Sequence, residues 1–240
     1  MAIYRRMLVL ANSAKKGSGR CIAGREILSV DENTYKFGSW LRPISTHGEG
    51  ELWPNERICD NGNQIKVMDF VDVPLIDKSI DPCQPENWRI SNTDRWKNVN
   101  SEYKLSSLNL LIESPENLWL QPKMQPDRVF HEYLKENPPD QSLYIIRPQN
   151  FLLRFWSDQW NGITKRKRRC RFDYKGVTYD LGLTDPVIGE RYRDQIPGLG
   201  QPTLEARLPC SNNLLICLSL AGNLDNYHYK VVATIFEEQE

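Results

Sequence analysis

Apolar and polar positions alternate in short runs through the first third of the chain, and this pattern predicts β-strands. Residues 5–11 and Arg20–Leu28 flank a polar, glycine-containing loop, so they predict a hairpin. Ser39–Ile44 and Gln64–Val73 predict two further strands, the second of which ends at Pro74. Short strands separated by turn residues at such spacing are typical of a small barrel or sandwich.

The strand pattern fades from Asp77 to Asp140, where prolines recur. Apolar residues fall at helical spacing in Leu105–Ile112 and in Val129–Leu134, which predicts two short helices. The same segment contains three tryptophans, Trp88, Trp96 and Trp119. That apolar mass favours a folded, helical insertion or connector over a disordered linker.

A β-hairpin can be drawn in register around Lys175-Gly176, taken as a two-residue turn. The pairs predicted for one face are apolar or aromatic: Tyr174 with Val177, Phe172 with Tyr179, and Cys170 with Leu181. The pairs predicted for the other face are polar: Asp173 with Thr178, and Arg171 with Asp180. One face is therefore suited to a core and the other to solvent.

The remaining C-terminal segments complete a second β-rich region. Thr184-Asp185-Pro186 predicts the cap and first turn of a short helix that continues through Arg193. Further strands are predicted at Ser142–Arg147, Leu214–Leu220 and Tyr229–Phe236. The predicted fold is mainly β with a helical insertion. A first small barrel would occupy residues 1–76, a helical, proline-rich connector residues 77–140, and a second small barrel residues 141–240.

Positive charge is concentrated in one run, although the formal net charge of the chain is +0. Every residue from Lys165 to Arg171 except Cys170 is basic. Lysines and arginines that neutralise phosphates release counterions, so the run predicts contact with a nucleic-acid backbone. The predicted contacts are Lys165, Arg166, Lys167, Arg168 and Arg169. The alternative is a solvated strand edge, because lysines on edges also prevent sheet-to-sheet aggregation.

A second basic segment lies at the N-terminus, where residues 1–25 contain no acidic residue. Lys15, Lys16 and Arg20 fall at the glycine-containing tip of the first predicted hairpin, which could offer charge and backbone N–H groups to a phosphate. The glycine spacing matches neither a dinucleotide-binding loop nor a P-loop. The alternative is a flexible hairpin tip.

Four aromatic residues precede the basic run: Phe151, Phe155, Trp156 and Trp160. Aromatic side chains beside cations suit single-stranded nucleic acid, because its bases stack on rings while its backbone follows the charge. We expect the two phenylalanines to lie in the core, as we do Phe172, Tyr174 and Tyr179. Polar residues flank the two tryptophans, which are therefore the candidates for stacking.

The sequence contains no signature of catalysis, metal binding or cofactor binding. It lacks G-x-S-x-G, H-E-x-x-H and Walker motifs, so we expect a non-enzymatic protein without a cofactor. The six cysteines include no C-x-x-C pair, and the three histidines are far apart in the sequence. This spacing predicts neither a zinc site nor a disulfide framework and favours reduced thiols in the cytoplasm. No apolar run is long enough to span a membrane.

Several sequence strings occur together in an order that resembles one family. They are Met7–Glu26, Gly-Ser-Trp-Leu-Arg-Pro-Ile-Ser at 38–45, Gln-Pro-Glu-Asn-Trp at 84–88, Tyr-Asp-Leu-Gly-Leu-Thr-Asp-Pro at 179–186, and Cys217–Leu220 with Tyr229–Ile235. In this order, and over nearly the whole chain, they resemble the bacterial dual OB-fold-containing domain family. The resemblance implies two OB-like barrels, an association with prokaryotic conflict or anti-phage systems, and a role in nucleic-acid recognition. It brings no catalytic residues with it.

Charge placement and the resemblance together predict a cytoplasmic nucleic-acid-binding module, an accessory or sensor component of a bacterial defence system. The type of nucleic acid stays open. One alternative is a regulatory subunit that binds an effector protein through the acidic, tryptophan-bearing middle of the chain. The other is a small-nucleotide sensor in which the Lys15–Arg20 loop holds a phosphate. No membrane partner is expected.

Overall fold

A computed structural model of the chain describes residues 2–31, 34–99, 101–209 and 214–237, and it divides the chain into two units. Unit 1 comprises Met1–Leu108 and Asn137–Leu143, and unit 2 comprises Asn109–Glu136 and Tyr144–Glu240. The chain therefore passes from one unit to the other three times. No helix in the described part of the chain is long and apolar enough to cross a membrane.

Unit 1 is a closed barrel. Its strands are β1 (Ile3–Ala14), β2 (Arg20–Asp31), β3 (Thr34–Ile44), β4 (Phe70–Lys78), β5 (Asn87–Ile90) and β6 (Lys97–Val99). They follow the order β1-β2-β3-β5-β4-β6, and β4 also pairs with β1, which closes the ring. β3 and β5 run parallel, whereas the other pairs are antiparallel. Apolar side chains from β1 to β5 fill the interior, together with the fully buried Trp96.

The first three predicted strands are confirmed, but the fourth lies further along the chain than predicted. Lys66 and Asp69 form a turn, in which Lys66 N–H donates to the Asp69 carboxylate at 2.8 Å, and Met68 has a φ of 74°. β4 therefore begins only at Phe70 and runs through Pro74. The proline is tolerated within the strand, where it lies opposite Tyr4 and its carbonyl accepts the Ser91 N–H at 2.9 Å.

The segment predicted as a connector, 77–140, is divided between the two units. Its first part contains the end of β4 and supplies β5 and β6 to the barrel of unit 1. The boundary predicted at residue 76 therefore falls inside β4. Its later part gives unit 2 a strand, β7 (Arg128–Phe130), and a helix, α1 (His131–Glu136). The predicted helix near Leu105 is a 3₁₀ helix over Leu105–Leu111. Strands of three or four residues are too short for their alternation of apolar and polar positions to be recognised in the sequence.

Unit 2 contains a second sheet with the same internal order. Its further elements are β8 (Leu143–Ile146), β9 (Gln149–Trp160), β10 (Ile163–Tyr174), β11 (Val177–Leu183), α2 (Pro186–Arg191), β12 (Leu204–Ala206), β13 (Leu215–Leu224) and β14 (Tyr227–Phe236). The sheet order is β12-β9-β10-β11-β14-β13-β8, with β7 on β14. The five strands β9-β10-β11-β14-β13 repeat β1-β2-β3-β5-β4 of unit 1, and β11–β14 is parallel as β3–β5 is.

The hairpin register predicted around Lys175-Gly176 is confirmed at every pair from Cys170–Leu181 to Tyr174–Val177. The predicted core aromatics are buried: Phe151, Phe155, Phe172, Tyr174 and Tyr179. The predicted helix cap is confirmed as well. Asp185 accepts the N–H groups of Val187 and Ile188 at 2.8 and 3.2 Å, and α2 ends at Arg191.

Candidate nucleic-acid interface

β9 and β10 continue past the rest of their sheet as a two-stranded arm. β10 pairs with β11 only from Arg169 onwards, and β12 reaches β9 only as far as Phe155. Residues 156–168, which we call the arm, pair with no described strand other than β9 and β10 themselves. Asn161 and Gly162 form the turn at its tip, with φ of 49° and 75°. An Asn-Gly pair suits these positive φ values.

Strand geometry divides the arm's cations between its two faces, because successive side chains of a strand point to opposite sides. Lys165 and Lys167 share the outer face with Arg169. Arg166 and Arg168 share the inner face, which further along β10 carries the buried Cys170. Lys165, Arg166 and Arg168 are exposed and Lys167 is half-buried.

The inner face of the arm packs against the segment around α2. Arg166 Nη1 donates to the Arg193 carbonyl at 3.4 Å, and Ser157 Oγ donates to the Pro197 carbonyl at 2.5 Å. Gly189 of α2 lets Arg168 lie against the helix, because a Cβ at this position would collide with Arg168 Nη1. These contacts hold the arm in its orientation. All of them are made by its inner face, so none of them covers the outer face.

Arg169 differs from the other cations of the run because carboxylates neutralise it. Its Nε donates to Asp180 Oδ1 at 2.6 Å, and its Nη2 lies 3.3 Å from Asp127 Oδ2. Arg154 takes the other oxygen of Asp180 at 2.5 Å and lies 3.4 Å from Glu205. The structure therefore places the predicted phosphate contact Arg169 in an ion-pair network.

The other four predicted phosphate contacts have no such partner. Within the described part of the chain, none of Lys165, Arg166, Lys167 and Arg168 forms an ion pair with a carboxylate. Asp158, opposite Lys165 in the register, is the one carboxylate in residues 156–168. The arm therefore carries an excess of uncompensated positive charge.

Two tryptophans join the lysines on the outer face. Trp156 is half-buried and lies opposite Lys167, with the Arg154 guanidinium carbon 5.7 Å from its ring centroid. Trp160 is next to the turn, on the same face, and 65% exposed. The outer face thus combines rings that could stack on bases with ammonium groups that could contact phosphates.

The second predicted patch, in unit 1, keeps only part of its charge. Lys15 Nζ donates to the Glu49 carbonyl at 2.9 Å and lies 3.1 Å from Glu51 and 3.3 Å from the Glu49 carboxylate. Burial tends to raise the pKa of Glu51, but hydrogen bonds from backbone groups and Lys15 hold it below its ordinary value. Lys15 is therefore neutralised. Lys16 is exposed, and Arg20 is half-buried.

Sequence analysis missed a neighbour of this patch, Arg57. It belongs to a 3₁₀ helix, Pro54–Arg57, and its Nη2 donates to the Ser18 carbonyl at 3.2 Å. The two residues are 39 positions apart, so only the fold shows that they meet. No signal in the sequence points to this contact.

The tryptophans of the middle segment are largely withdrawn from solvent. Trp96 and Trp119 are buried, and Trp88 is half-buried with the Arg5 guanidinium carbon 4.1 Å from its ring centroid. They pack within their own units. The effector-binding surface suggested by the sequence therefore lacks exposed tryptophans at these positions.

Two histidines that are distant in the sequence meet in unit 2. His131 Nδ1 lies 2.9 Å from His228 Nε2, and His228 Nδ1 lies 2.8 Å from the Ala221 carbonyl. Because a carbonyl only accepts, His228 Nδ1 carries a proton, and in the neutral pair His131 is the donor. The contact links α1 to β14.

The family model for the dual OB-containing domain matches residues 5–235. No curated protein matches the chain. Among solved structures, a murine DNA-binding protein bound to double-stranded DNA aligns over 99% of this chain and 100% of its own, at 8% identity and a TM-score of 0.30. A likeness at that TM-score carries no argument about function.

Proposed function

We propose that this chain, which belongs to the family of dual OB-containing domains, is a nucleic-acid-binding module that contacts its ligand through the arm of unit 2. OB barrels bind oligonucleotides, sugars or proteins, so the fold alone does not select a ligand. One observation carries the proposal: within the described part of the chain, none of the four arm cations Lys165–Arg168 has a carboxylate partner. The same arm presents Trp156 and Trp160.

Each part of the arm has a distinct role in this proposal. Lys165 and Lys167 on the outer face, with Arg166 and Arg168 on the inner face, contact phosphates and release counterions. Trp160, and to a lesser extent the half-buried Trp156, stack on bases. Lys16 and Arg20 offer a second contact in unit 1, whereas Lys15 and Arg169 are held by carboxylates and contribute little.

The arm suits two kinds of nucleic acid. A two-stranded ribbon fits the major groove of duplex DNA, and an aromatic, cationic face fits a single strand. Fluorescence anisotropy with labelled single- and double-stranded DNA and RNA, at two salt concentrations, tests the proposal. We expect salt-sensitive binding to at least one of the four. Binding to none of them, or binding that salt does not weaken, would refute the proposal.

The finer assignment is that the module works in the cytoplasm, without catalysis, as an accessory or sensor component of a bacterial defence system. Support comes from the family resemblance, the unclustered cysteines and the lack of a catalytic motif in the sequence. Phage plating on cells that carry the intact system tests it. Replacing the arm cations should raise plating efficiency toward that of cells without the system, and unchanged plating would contradict the assignment.

A further inference from the structure

We propose that unit 1 contains a separate site for a phosphate group, formed by Arg20, Arg57 and Lys16 at the turn between β1 and β2. The site is independent of the arm, because every residue in it belongs to unit 1. The sequence suggested that Lys15 would contact the phosphate. In the site proposed here Arg57 of the 3₁₀ helix has that role, because Lys15 is paired with Glu51.

The two guanidinium groups converge on the same turn. Arg20 Nη1 donates to the Gly19 carbonyl at 3.2 Å, and Arg57 Nη2 donates to the adjacent Ser18 carbonyl at 3.2 Å. Gln64 Oε1 accepts from Arg57 Nη1 at 2.7 Å and orients that side chain. Two arginines are thus held beside one short loop.

Neither arginine forms an ion pair with a carboxylate in the described part of the chain. The two glutamates that precede Arg57 in the sequence, Glu51 and Glu56, are engaged elsewhere. Glu51 contacts Lys15, and Glu56 accepts from Ser45 Oγ at 2.5 Å and from Trp53 N–H at 2.8 Å. In contrast, Arg6 in the same unit has Asp72 at 2.8 Å.

An anion would relieve the electrostatic cost of this arrangement. Burial, and secondly the charge of Arg20, lower the pKa of Arg57 below its ordinary value. The Nε of Arg57 is also buried and has no hydrogen-bond partner in the described part of the chain. A phosphate supplies both the missing negative charge and oxygen acceptors matched to guanidinium geometry.

The loop itself leaves room for a ligand. Gly17 has a φ of 61°, and a Cβ placed on it would meet no atom within 4 Å. Lys16 is exposed beside it, and the backbone N–H groups of Gly17 and Ser18 donate to no carbonyl of the described backbone. Side-chain charge and free amides on an open turn are the elements of an anion-binding loop.

The ligand is defined by its phosphate, which a free nucleotide or a nucleic-acid end could supply. Titration calorimetry with inorganic phosphate, a nucleoside monophosphate, and an oligonucleotide with or without a 5′-phosphate separates these sources. Phosphate and nucleotide should bind, with sodium chloride at equal ionic strength as the reference. A preference for the phosphorylated oligonucleotide would identify a nucleic-acid end as the ligand.

Substitutions at the two arginines make the test specific. Arg57→Gln and Arg20→Gln should each weaken phosphate binding by about tenfold or more, since each removes charge-assisted hydrogen bonds. Arg6→Gln is the matched control and should bind as the wild type does. Arg20→Gln also serves if Arg57→Gln fails to fold, because the one side-chain hydrogen bond described for Arg20 is to the carbonyl of the preceding residue.

Two results would overturn the site: no phosphate binding beyond the chloride reference, or equal binding by a folded arginine variant and the wild type. Failure of the arm proposal is distinguishable from either. A Lys165/Arg166/Lys167/Arg168→Ala variant should lose nucleic-acid binding through the arm and keep its affinity for phosphate.

Discussion

Lys167 and Arg169 lie two positions apart on the same face of β10, yet their electrostatic surroundings differ. Arg169 lies where β11 joins β10, which brings the carboxylate of Asp180 to its guanidinium. Lys167 lies beyond the end of that pairing, opposite Trp156. A run of basic residues in the sequence shows none of this, because the difference depends on which strand lies alongside each residue.

The two cations should therefore respond differently to alanine substitution. Lys167→Ala should leave stability within about 0.5 kcal/mol of wild type and reduce the salt dependence of nucleic-acid binding by about one phosphate contact. Arg169→Ala should destabilise the protein by about 1–2 kcal/mol, because it leaves Asp180 with one guanidinium partner in place of two. Urea unfolding measures the change in stability, and binding titrations at several salt concentrations measure the change in salt dependence. A destabilised Lys167→Ala variant, or an Arg169→Ala variant as stable as the wild type, would contradict the prediction.

Lys230 is a buried residue whose titration should be visible in stability. The residue is 1% exposed, and its Nζ has no hydrogen-bond partner in the described part of the chain. Burial lowers the pKa of Lys230 to about 7, although the negative charge of Asp127 acts to raise it. The folded protein then binds fewer protons here than the unfolded chain does between about pH 7 and the ordinary lysine pKa near 10.4.

Stability should consequently rise with pH across that window, by up to about 1.4 kcal/mol per pH unit from this group. Below about pH 7 Lys230 is protonated in both states and contributes no further slope. Lys230→Met should remove this contribution. The unfolding free energy of the variant minus that of the wild type should therefore fall from about pH 7 to about pH 9. Urea unfolding at the two pH values measures it, and parallel curves would rule out the lowered pKa.

At the scale of elements, sequence analysis succeeds where pairing is local. The hairpin around Lys175-Gly176 is predictable in register because its turn and its alternation lie within a few residues of each other. β5, β6 and β7 are not predictable in this way, since each has only three or four residues and no tight turn joins it to a pairing partner. The arm is intermediate: its charge is evident from sequence, but its freedom from neighbouring strands is not.

The arm's self-contained pairing makes it removable. Deleting residues 157–160 and 163–166 would join Trp156 to Lys167 through Asn161-Gly162, and the existing register places those two residues opposite each other. Unit 2 should keep its cooperative unfolding, because the deleted residues pair with no described strand other than β9 and β10. Nucleic-acid affinity should fall by about tenfold or more with the loss of two phosphate contacts and Trp160.

Circular dichroism and thermal unfolding verify the fold of the shortened chain before anisotropy is measured. Unchanged affinity in a folded, shortened chain would exclude the arm as the contact surface. Loss of the folded state would instead show that the contacts of Ser157 and Arg166 with residues 193–197 are structurally essential.

On the scale of the whole molecule, the same strand order occurs twice, although the sequence shows no repeat of short period. The repetition appears only in the pairing: β1-β2-β3-β5-β4 in unit 1 and β9-β10-β11-β14-β13 in unit 2. The corresponding first hairpins differ in their basic residues. In unit 1 the hairpin turn carries Lys16 and Arg20 and accepts a hydrogen bond from Arg57 at the Ser18 carbonyl, whereas in unit 2 the hairpin is extended into the arm. The two proposed anion-binding surfaces thus differ, although the units share one topology.

The most direct test of the account is the salt dependence of nucleic-acid affinity in two variants with the same change in net charge. One is Lys165/Arg166/Lys167/Arg168→Ala, and the control removes four exposed lysines of unit 1, Lys36, Lys66, Lys78 and Lys104. For duplex DNA, four phosphate contacts predict a slope of log K against log salt steeper by about 3.6 in the wild type than in the arm variant. The control variant should keep nearly the wild-type slope. Equal loss of slope in both variants would show that binding follows net charge, and would contradict a specific role for the arm.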